Sequence, residues 1–189
     1  MSERNPEQYV RQYLHETIQI AGSLDQAMVV RMIQMLRKLR ERAGRLFILG
    51  VGGSAANASH AVNDFRKIAW IEAYAPTDNV SELTARTNDD GWEGVFVNWL
   101  KGSRMAGGDA LFILSVGGGS ERASLNLVRA MEYARTVGTP ILSIVSRDGG
   151  KAKELSDAAL LIPVISDERI TPHAEGWQAV VCHLLVNCI

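Results

Sequence analysis

The segment that most constrains the fold of this 189-residue chain is residues 46–64, LFILGVGGSAANASHAVND. It opens with an apolar run without helical periodicity, which is typical of a buried parallel strand. A glycine-rich turn follows at 50–54, and the small residues after it suit a helix that packs closely on a sheet. This order places backbone N–H groups and the positive end of a helix dipole where an anion can bind.

The turn at residues 50–54, the first glycine loop, differs from two well-known phosphate-binding motifs. It lacks the third glycine of the dinucleotide fingerprint, and no Gly-Lys-Ser or Gly-Lys-Thr follows it as in a P-loop. Gly52 and Gly53 still let the backbone approach a phosphate closely, and the Ser54 hydroxyl adds a donor. A tight turn without a ligand is the alternative interpretation of this segment taken alone.

Helices and strands alternate along the rest of the chain. Residues 1–44 contribute two apolar helices, and residues 45–189 form an α/β core in this interpretation. The predicted strands are 46–49, 70–74, 110–114, 141–145 and 158–164, and the principal core helices after residue 80 are 81–87, 92–105, 123–136 and 175–189. Strands separated by helices with tight loops indicate a parallel five-stranded sheet covered on both faces. Without a linker, residues 1–189 are predicted to be a single doubly wound domain, whose N-terminal helices pack on the sheet or in an oligomer.

A second glycine loop, SVGGGS at residues 115–120, follows the strand at 110–114. Ligands of open α/β sheets bind beyond the carboxyl ends of the strands, so two such loops on successive βα turns favour a ligand. Three consecutive glycines are also compatible with a plain flexible turn. The groups suited to a phosphate monoester are the hydroxyls of Ser115 and Ser120 and the amides of Gly117, Gly118 and Gly119.

Composition argues against two classes of partner. A formal net charge of -1 gives no electrostatic case for binding nucleic acid or a membrane surface. No apolar run reaches the length of a membrane span, and the polar N-terminus does not resemble a signal peptide.

Cys182 and Cys188 lie on one predicted helix at a spacing that does not favour a disulfide. Free thiols and no export signal predict a cytoplasmic protein.

Two pairs of side chains offer acid–base or metal chemistry. His60 and Asp64 are four residues apart on a predicted helix, so both face the same way, within reach of one metal or one substrate. Spacing alone slightly favours the alternative, a histidine paired with an exposed carboxylate. Glu175 and His183 lie about 12 Å apart along a straight helix. One ion could hold both only if the helix start is distorted or another subunit supplies a ligand. His183 sits in an apolar stretch that predicts burial, where an unpaired imidazole is costly, so we expect it to have a partner.

The chain resembles the sugar-isomerase (SIS) domains, specifically the sedoheptulose-7-phosphate (phosphoheptose) isomerases. Residues 50–60, GVGGSAANASH, match the family motif G-N-G-G-S-A-x-x-A-x-H. The segments LTA at 83–85 with ND at 88–89, the second glycine loop, and RDGGK at 147–151 match in the same order. The likeness covers nearly the whole chain, including the N-terminal helices.

This resemblance implies a homotetramer with active sites at subunit interfaces. It implies conversion of sedoheptulose 7-phosphate to D-glycero-D-manno-heptose 7-phosphate, which leads to nucleotide-activated heptose. The family surrounds a zinc ion with His, Glu, Gln and His; here His60, Asp64, Glu175 and His183 stand at those positions. Asp64 reaches about one methylene less far than Glu, and a carboxylate at 175 binds zinc or another divalent metal at least as well as an amide.

The resemblance also indicates substrate contacts. Two hydroxyls of the family loop S-T-S-G-N-S are missing from the second glycine loop, where backbone amides partly replace them. The family's substrate-binding Asp has its nearest counterpart in Asp78, offset by one residue and followed by Asn79. Glu175 is a substrate-binding candidate as well as a metal ligand.

Aldose–ketose isomerisation requires a base, an acid and a group that stabilises the enediolate. We hypothesise that Asp64 and His183 share the acid–base roles while a metal held by His60 and Glu175 polarises the carbonyl. The alternatives are an isomerase of another sugar phosphate and a non-catalytic SIS module that binds phosphosugars or the DnaA initiator. An acid four residues after His60 and a second acid near His183 favour an enzyme.

Overall fold

The computed structural model describes residues 5–189 and contains one five-stranded sheet, in the order β2-β1-β3-β4-β5. Every strand pair is parallel. The strands are β1 Leu46–Leu49, β2 Ala73–Tyr74, β3 Ala110–Leu114, β4 Ile141–Val145 and β5 Ala158–Leu161. The predicted α/β class with a parallel five-stranded sheet is therefore confirmed.

The helices cover both faces of the sheet. They are α1 Pro6–Ser23, α2 Gln26–Glu41, α3 Gly53–Lys67, α4 Val80–Gly102, α5 Leu125–Thr136, α6 Gly150–Leu155 and α7 Ile170–Cys188. One face buries alternate strand residues such as Ile48 and Phe112 against α1, α2, α3 and α7. The other face buries Phe47 and Ile113 against α4, α5 and α6. Alternation along each buried strand thus supplies two cores.

Polar side chains at the N-cap positions determine where three helices begin. The carboxamide oxygen of Asn5 accepts a hydrogen bond from the Gln8 amide at 3.1 Å, before α1. Asp25 and Asn79 act in the same way before α2 and α4. Because each cap pairs a helix-start N–H that has no partner within the helix, it stabilises the helix by about 1 kcal/mol.

The edges of several elements differ from the sequence prediction. The strand predicted at 70–74 is only Ala73–Tyr74, because Trp70 adopts a left-handed backbone conformation (φ 56°). The last strand ends at Leu161 rather than at residue 164, since Pro163 has no N–H for the ladder. The closing helix begins at Ile170 rather than at 175, with Pro172 in its first turn, where proline is tolerated.

The helical segment after β2 is a hairpin rather than two helices joined by a loop of several residues. Residues 88–90 are helical, and the break is confined to Gly91, whose φ of 74° and ψ of 158° interrupt α4. The Arg86 guanidinium lies against Gly102, so the two halves of α4 pack side by side. Among residues 5–189, no helix has both the length and the apolarity needed to cross a membrane.

Candidate active site

Three of the predicted site residues meet where α3 packs on α7. Asp64 Oδ2 lies 3.3 Å from His60 Nε2 and 3.2 Å from His183 Nδ1. The two imidazole rings stand edge to face with their centroids 5.1 Å apart. One ligand atom from each of the three residues lies within 4.8 Å of the others. Tertiary structure therefore joins the His60–Asp64 pair to His183, which is more than a hundred residues away in sequence.

Solvent reaches the three side chains unequally. The Asp64 side chain is 11% exposed, whereas those of His60 and His183 are 55% and 52% exposed. Asn63 donates from Nδ2 to Asp64 Oδ1 at 3.0 Å, so both carboxylate oxygens have a protein partner. The carboxylate is thus shielded and oriented by the protein, while a ligand can approach the imidazoles from solvent.

The prediction that His183 is buried was wrong, although the prediction that it has a partner is confirmed by Asp64. His183 projects from the open side of α7, where Val180 and Leu184 are also exposed. Apolar neighbours in sequence indicated a buried helix, but half of these side chains face outwards in the single chain. This open apolar surface borders the site.

The neighbouring thiol is not available for chemistry at neutral pH. Burial, with a smaller contribution from the negative charge of Asp64, raises the pKa of Cys182 to about 12. A thiol with that pKa stays protonated and is neither a nucleophile nor a good metal ligand. The reactive groups at this site are therefore the carboxylate and the two imidazoles.

These donors fit a zinc ion or a similar divalent metal. Zinc bonds of 2.0–2.2 Å in a tetrahedron separate neighbouring donor atoms by about 3.3 Å. The carboxylate oxygen stands at 3.3 and 3.2 Å from the two imidazole nitrogens, which matches that spacing. Two histidines and one carboxylate with an open fourth position form one of the usual ligand sets of catalytic zinc.

Helices α3 and α7 run side by side in the same direction, and their contacts follow one register. Gly53 faces Glu175 at the start of the interface, and Asp64 faces His183 further along it. Between these contacts, Asn57 Nδ2 donates to Glu175 O at 2.9 Å and to Gln178 Oε1 at 3.0 Å. The α3–α7 interface therefore connects the first glycine loop with the histidine–carboxylate group.

Glu175 is not brought to the other three predicted metal ligands within one chain. Its carboxylate packs against Gly53, in space that a Cβ atom on that glycine would occupy. Helix α7 is continuous from Ile170 to Cys188, so His183 lies about 12 Å further along the axis. A distorted helix start is thus excluded, and Glu175 could join the same type of site only from another subunit.

The second glycine loop is held in shape by hydrogen bonds. Ser115 Oγ accepts from the Gly118 amide at 3.0 Å, and Ser120 Oγ accepts from the amides of Arg122 and Ala123 at 3.2 and 3.1 Å. The amides of residues 151 and 152 donate to the carbonyl oxygens of residues 119 and 118. Gly118 has a φ of 71° and no room for a Cβ beside the Gly149 carbonyl, so the backbone here requires glycine.

That arrangement gives a structural role to the segment RDGGK, which sequence analysis noted only as part of the family resemblance. Residues 147–151 follow β4 and buttress the second glycine loop from the neighbouring strand. In the first glycine loop, by contrast, Ser54 is only 2% exposed in the single chain. Gly52 and Gly53 are the exposed residues of that loop.

Asp78 and Asn79 lie between β2 and the start of α4. Both line a cavity of about 390 Å³ together with Arg45, which immediately precedes β1. Asn79 is occupied as the cap of α4, accepting from the Glu82 amide at 3.2 Å. The cavity reaches the amino end of β1, and the contact of Asp78 and Asn79 with the substrate stays a prediction.

No protein-family model matches the chain. It is 34% identical over 171 residues to the phosphoheptose isomerase of Helicobacter pylori (strain P12), which covers 87% of this chain and 83% of the relative. The phosphoheptose isomerase of a Nitratiruptor species is 35% identical over 150 residues, 77% of this chain and 75% of the relative. The structure of phosphoheptose isomerase GmhA from Neisseria gonorrhoeae matches with a TM-score of 0.84 and 25% identity, covering 98% of this chain and 99% of that one.

Proposed function

This chain belongs to the phosphoheptose isomerase family, and we propose that it converts sedoheptulose 7-phosphate to D-glycero-D-manno-heptose 7-phosphate at His60, Asp64 and His183. The observation that carries this proposal is that the Asp64 carboxylate lies 3.3 Å from His60 and 3.2 Å from His183, where the helix that leaves the first glycine loop packs on α7. A loop for the phosphate and an acid–base group nearby are the two parts that sugar-phosphate isomerisation needs.

The reaction moves protons between neighbouring carbons and oxygens of the sugar. A base removes a proton from C1, and the electron pair forms the C1=C2 bond of an enediolate. A proton then returns to C2, O1 gives up its proton to become the carbonyl oxygen, and O2 becomes a hydroxyl. Asp64 and His183 share these transfers in our proposal, because they lie side by side with Asp64 Oδ2 3.2 Å from His183 Nδ1. Since a metal held here would occupy those two atoms, the protons would move at Asp64 Oδ1 and His183 Nε2.

We propose that His60, Asp64 and His183 hold a zinc ion. Bound there, it would supply positive charge that polarises the sugar carbonyl. The substrate phosphate would lie against the first and second glycine loops. Glu175, packed on Gly53, would contact the sugar or its phosphate from the start of the α3–α7 interface.

A homotetramer with shared active sites is supported by exposed apolar surface. Val10, Leu14 and Ile18 of α1 are 55%, 58% and 68% exposed and lie four residues apart on one helix face. Val180 and Leu184 add an apolar border beside His183. Monomeric proteins rarely expose such stripes, so we propose that other copies of the chain cover them. Native mass spectrometry of the cytoplasmic enzyme should then give four chains.

The direct test is turnover of sedoheptulose 7-phosphate by metal-stripped protein with and without added zinc, followed by NMR of the sugar. We expect zinc to raise the rate at least tenfold, on the order of 1.4 kcal/mol or more of transition-state stabilisation. A turnover rate that changes neither after chelation nor after addition of zinc would contradict the metal site. Phosphosugar binding without turnover would point to a sensor, and turnover of a different sugar phosphate would change the substrate.

Gly53→Ala tests the place of Glu175. The new Cβ would displace the flexible carboxylate, so stability should stay near that of the wild type while KM rises roughly tenfold. The control is Gly176→Ala on α7, where an added Cβ meets nothing within 4 Å. An unchanged KM in Gly53→Ala would show that the position of Glu175 is irrelevant to the substrate.

A further inference from the structure

Asn57 of α3 and Gln178 of α7 form a polar bridge in the middle of the α3–α7 interface. Both N–H groups of the Asn57 carboxamide have an acceptor, one on the backbone of Glu175 and one on the Gln178 side chain. Gln178 is 0% exposed. This bridge stands between the contact of Gly53 with Glu175 and that of Asp64 with His183.

Gln178 depends on Asn57 for its orientation. Its Oε1 accepts from Asn57, while its Nε2 is buried and has no hydrogen-bond partner among the described residues. A buried carboxamide with a hydrogen bond at one end only has no second hydrogen bond to fix its orientation. Removing Asn57 therefore removes the hydrogen bond that orients Gln178 and the one that ties the Glu175 carbonyl to α3.

Apart from the polar contacts at its two ends, the rest of the interface is apolar. Ala58, Ala61 and Val62 of α3 and Val181 and Leu185 of α7 all lie in one core cluster. Apolar contacts are non-directional, so they stabilise packing without defining how far one helix is displaced along the other. A shift of about 1 Å at a reacting centre is enough to lower a rate on the order of a hundredfold.

We propose that Asn57 is a positioning residue for the acid–base site: it fixes the axial register of α7 on α3 and thereby the distance from Asp64 to His183. The proposal rests on the proposed function for its catalytic consequence, but its geometric consequence is independent of any substrate. Asn57 acts through Gln178 and the Glu175 carbonyl and needs no contact with the sugar.

The test compares Asn57→Ala with the wild type by cobalt titration of metal-stripped protein and by steady-state kinetics. We expect the affinity for Co²⁺ to fall roughly 10- to 100-fold, with an altered visible spectrum, as for other residues that support metal ligands. The kcat should fall by a similar factor, while KM should rise less than in Gly53→Ala because the Glu175 carboxylate keeps its place against Gly53. Asn98→Ala, a half-buried asparagine of α4 on the other face of the sheet, is the matched control and should behave as the wild type.

A double variant shows whether the two carboxamides act as one unit. If they do, the double variant Asn57→Ala/Gln178→Ala should lose no more cobalt affinity and kcat than Asn57→Ala alone. Independent roles would instead multiply the losses of the two single variants. Ring-nitrogen NMR shifts of His60 and His183 at fixed pH provide a metal-free measure of the same geometry, and we expect them to change in Asn57→Ala.

The outcomes separate this inference from the proposed function. If the wild-type protein does not isomerise sedoheptulose 7-phosphate, the proposed function is refuted. If Asn57→Ala nevertheless disturbs the cobalt site or the histidine shifts, the positioning role is supported. An active enzyme whose Asn57→Ala variant keeps its cobalt affinity, histidine shifts and kcat overturns the positioning role, even if that variant melts at a lower temperature.

Discussion

Asp64→Asn should lower kcat/KM for sedoheptulose 7-phosphate about 10³-fold, within the range that general acid–base groups contribute. An amide at this position cannot accept a proton from C1, and its charge no longer complements two imidazoles at 3.3 and 3.2 Å. The fold should survive, because Asn matches the shape of Asp and Asn63 can rotate to a new partner. His183→Gln should cause a loss of similar size.

The measurement is steady-state kinetics with thermal melting of each variant as a check of folding. Glu41→Gln, an exposed carboxylate at the end of α2, is the matched change of acid to amide and should keep wild-type kinetics. Asp64→Glu should keep far more activity than Asp64→Asn, because it retains the charge and adds the reach of the residue that the family carries. Near-normal kcat/KM in Asp64→Asn would remove Asp64 from the mechanism.

The features that sequence predicted correctly depend only on residues that are close together in the chain. Buried parallel strands are continuous apolar runs, so β1, β3 and β4 were predicted with their observed bounds. His60 and Asp64 lie one helical turn apart, so their proximity followed from α-helix geometry alone. Local spacing was sufficient in these cases because no distant residue had to be placed.

The parts that sequence could not predict depend on how two helices are set against each other. The position of Glu175 at Gly53 follows from the axial register of α7 on α3, which no local pattern encodes. His183 was expected to be buried because apolar residues surround it in sequence, yet an apolar helix face can also remain open for another subunit. Only the sequence resemblance connected His183 with His60.

Asp78 illustrates a third limit of sequence analysis. Its contact with the substrate was inferred from likeness one residue out of register and stays a prediction. Sequence did not indicate that β2 has only two residues and leads into a 3-10 helix at Pro76–Asp78. That turn directs Asp78 towards the cavity beside Arg45. A two-residue strand depends on the left-handed conformation of Trp70, which propensities disfavour.

A buried charge cluster that no local sequence pattern indicated joins α1 to the start of α7. Glu16 accepts from Arg169 Nε and Nη2, both at 2.8 Å, and is 2.9 Å from His173 Nε2. The three residues are 4%, 7% and 5% exposed. The Tyr13 ring stacks on His173 with centroids 4.4 Å apart. The cluster anchors the helix that carries Glu175 and His183, so its loss should affect stability strongly.

Glu16→Gln should lower the Tm at pH 7 by on the order of 10 °C, because it leaves the buried Arg169 charge with only the exposed carboxylate of Glu168, 3.3 Å from Nη1, as an ion-pair partner. The hydrogen bonds from Arg169, opposed by burial and assisted by His173, lower the pKa of Glu16 from 4.5 to about 2. A pKa depressed by folding stabilises the protein above pH 4.5 and ceases to do so as the pH falls towards 2.

The difference in Tm between wild type and Glu16→Gln should therefore be largest above pH 5 and shrink as Glu16 becomes protonated in the wild type. Thermal melts from pH 7 down to the lowest pH at which both proteins refold measure this difference. Glu7→Gln, an exposed carboxylate on the same helix, should shift the Tm by about 2 °C or less and show no such convergence. If the difference instead stays constant with pH, the stabilisation comes from packing of the side chain rather than from its charge.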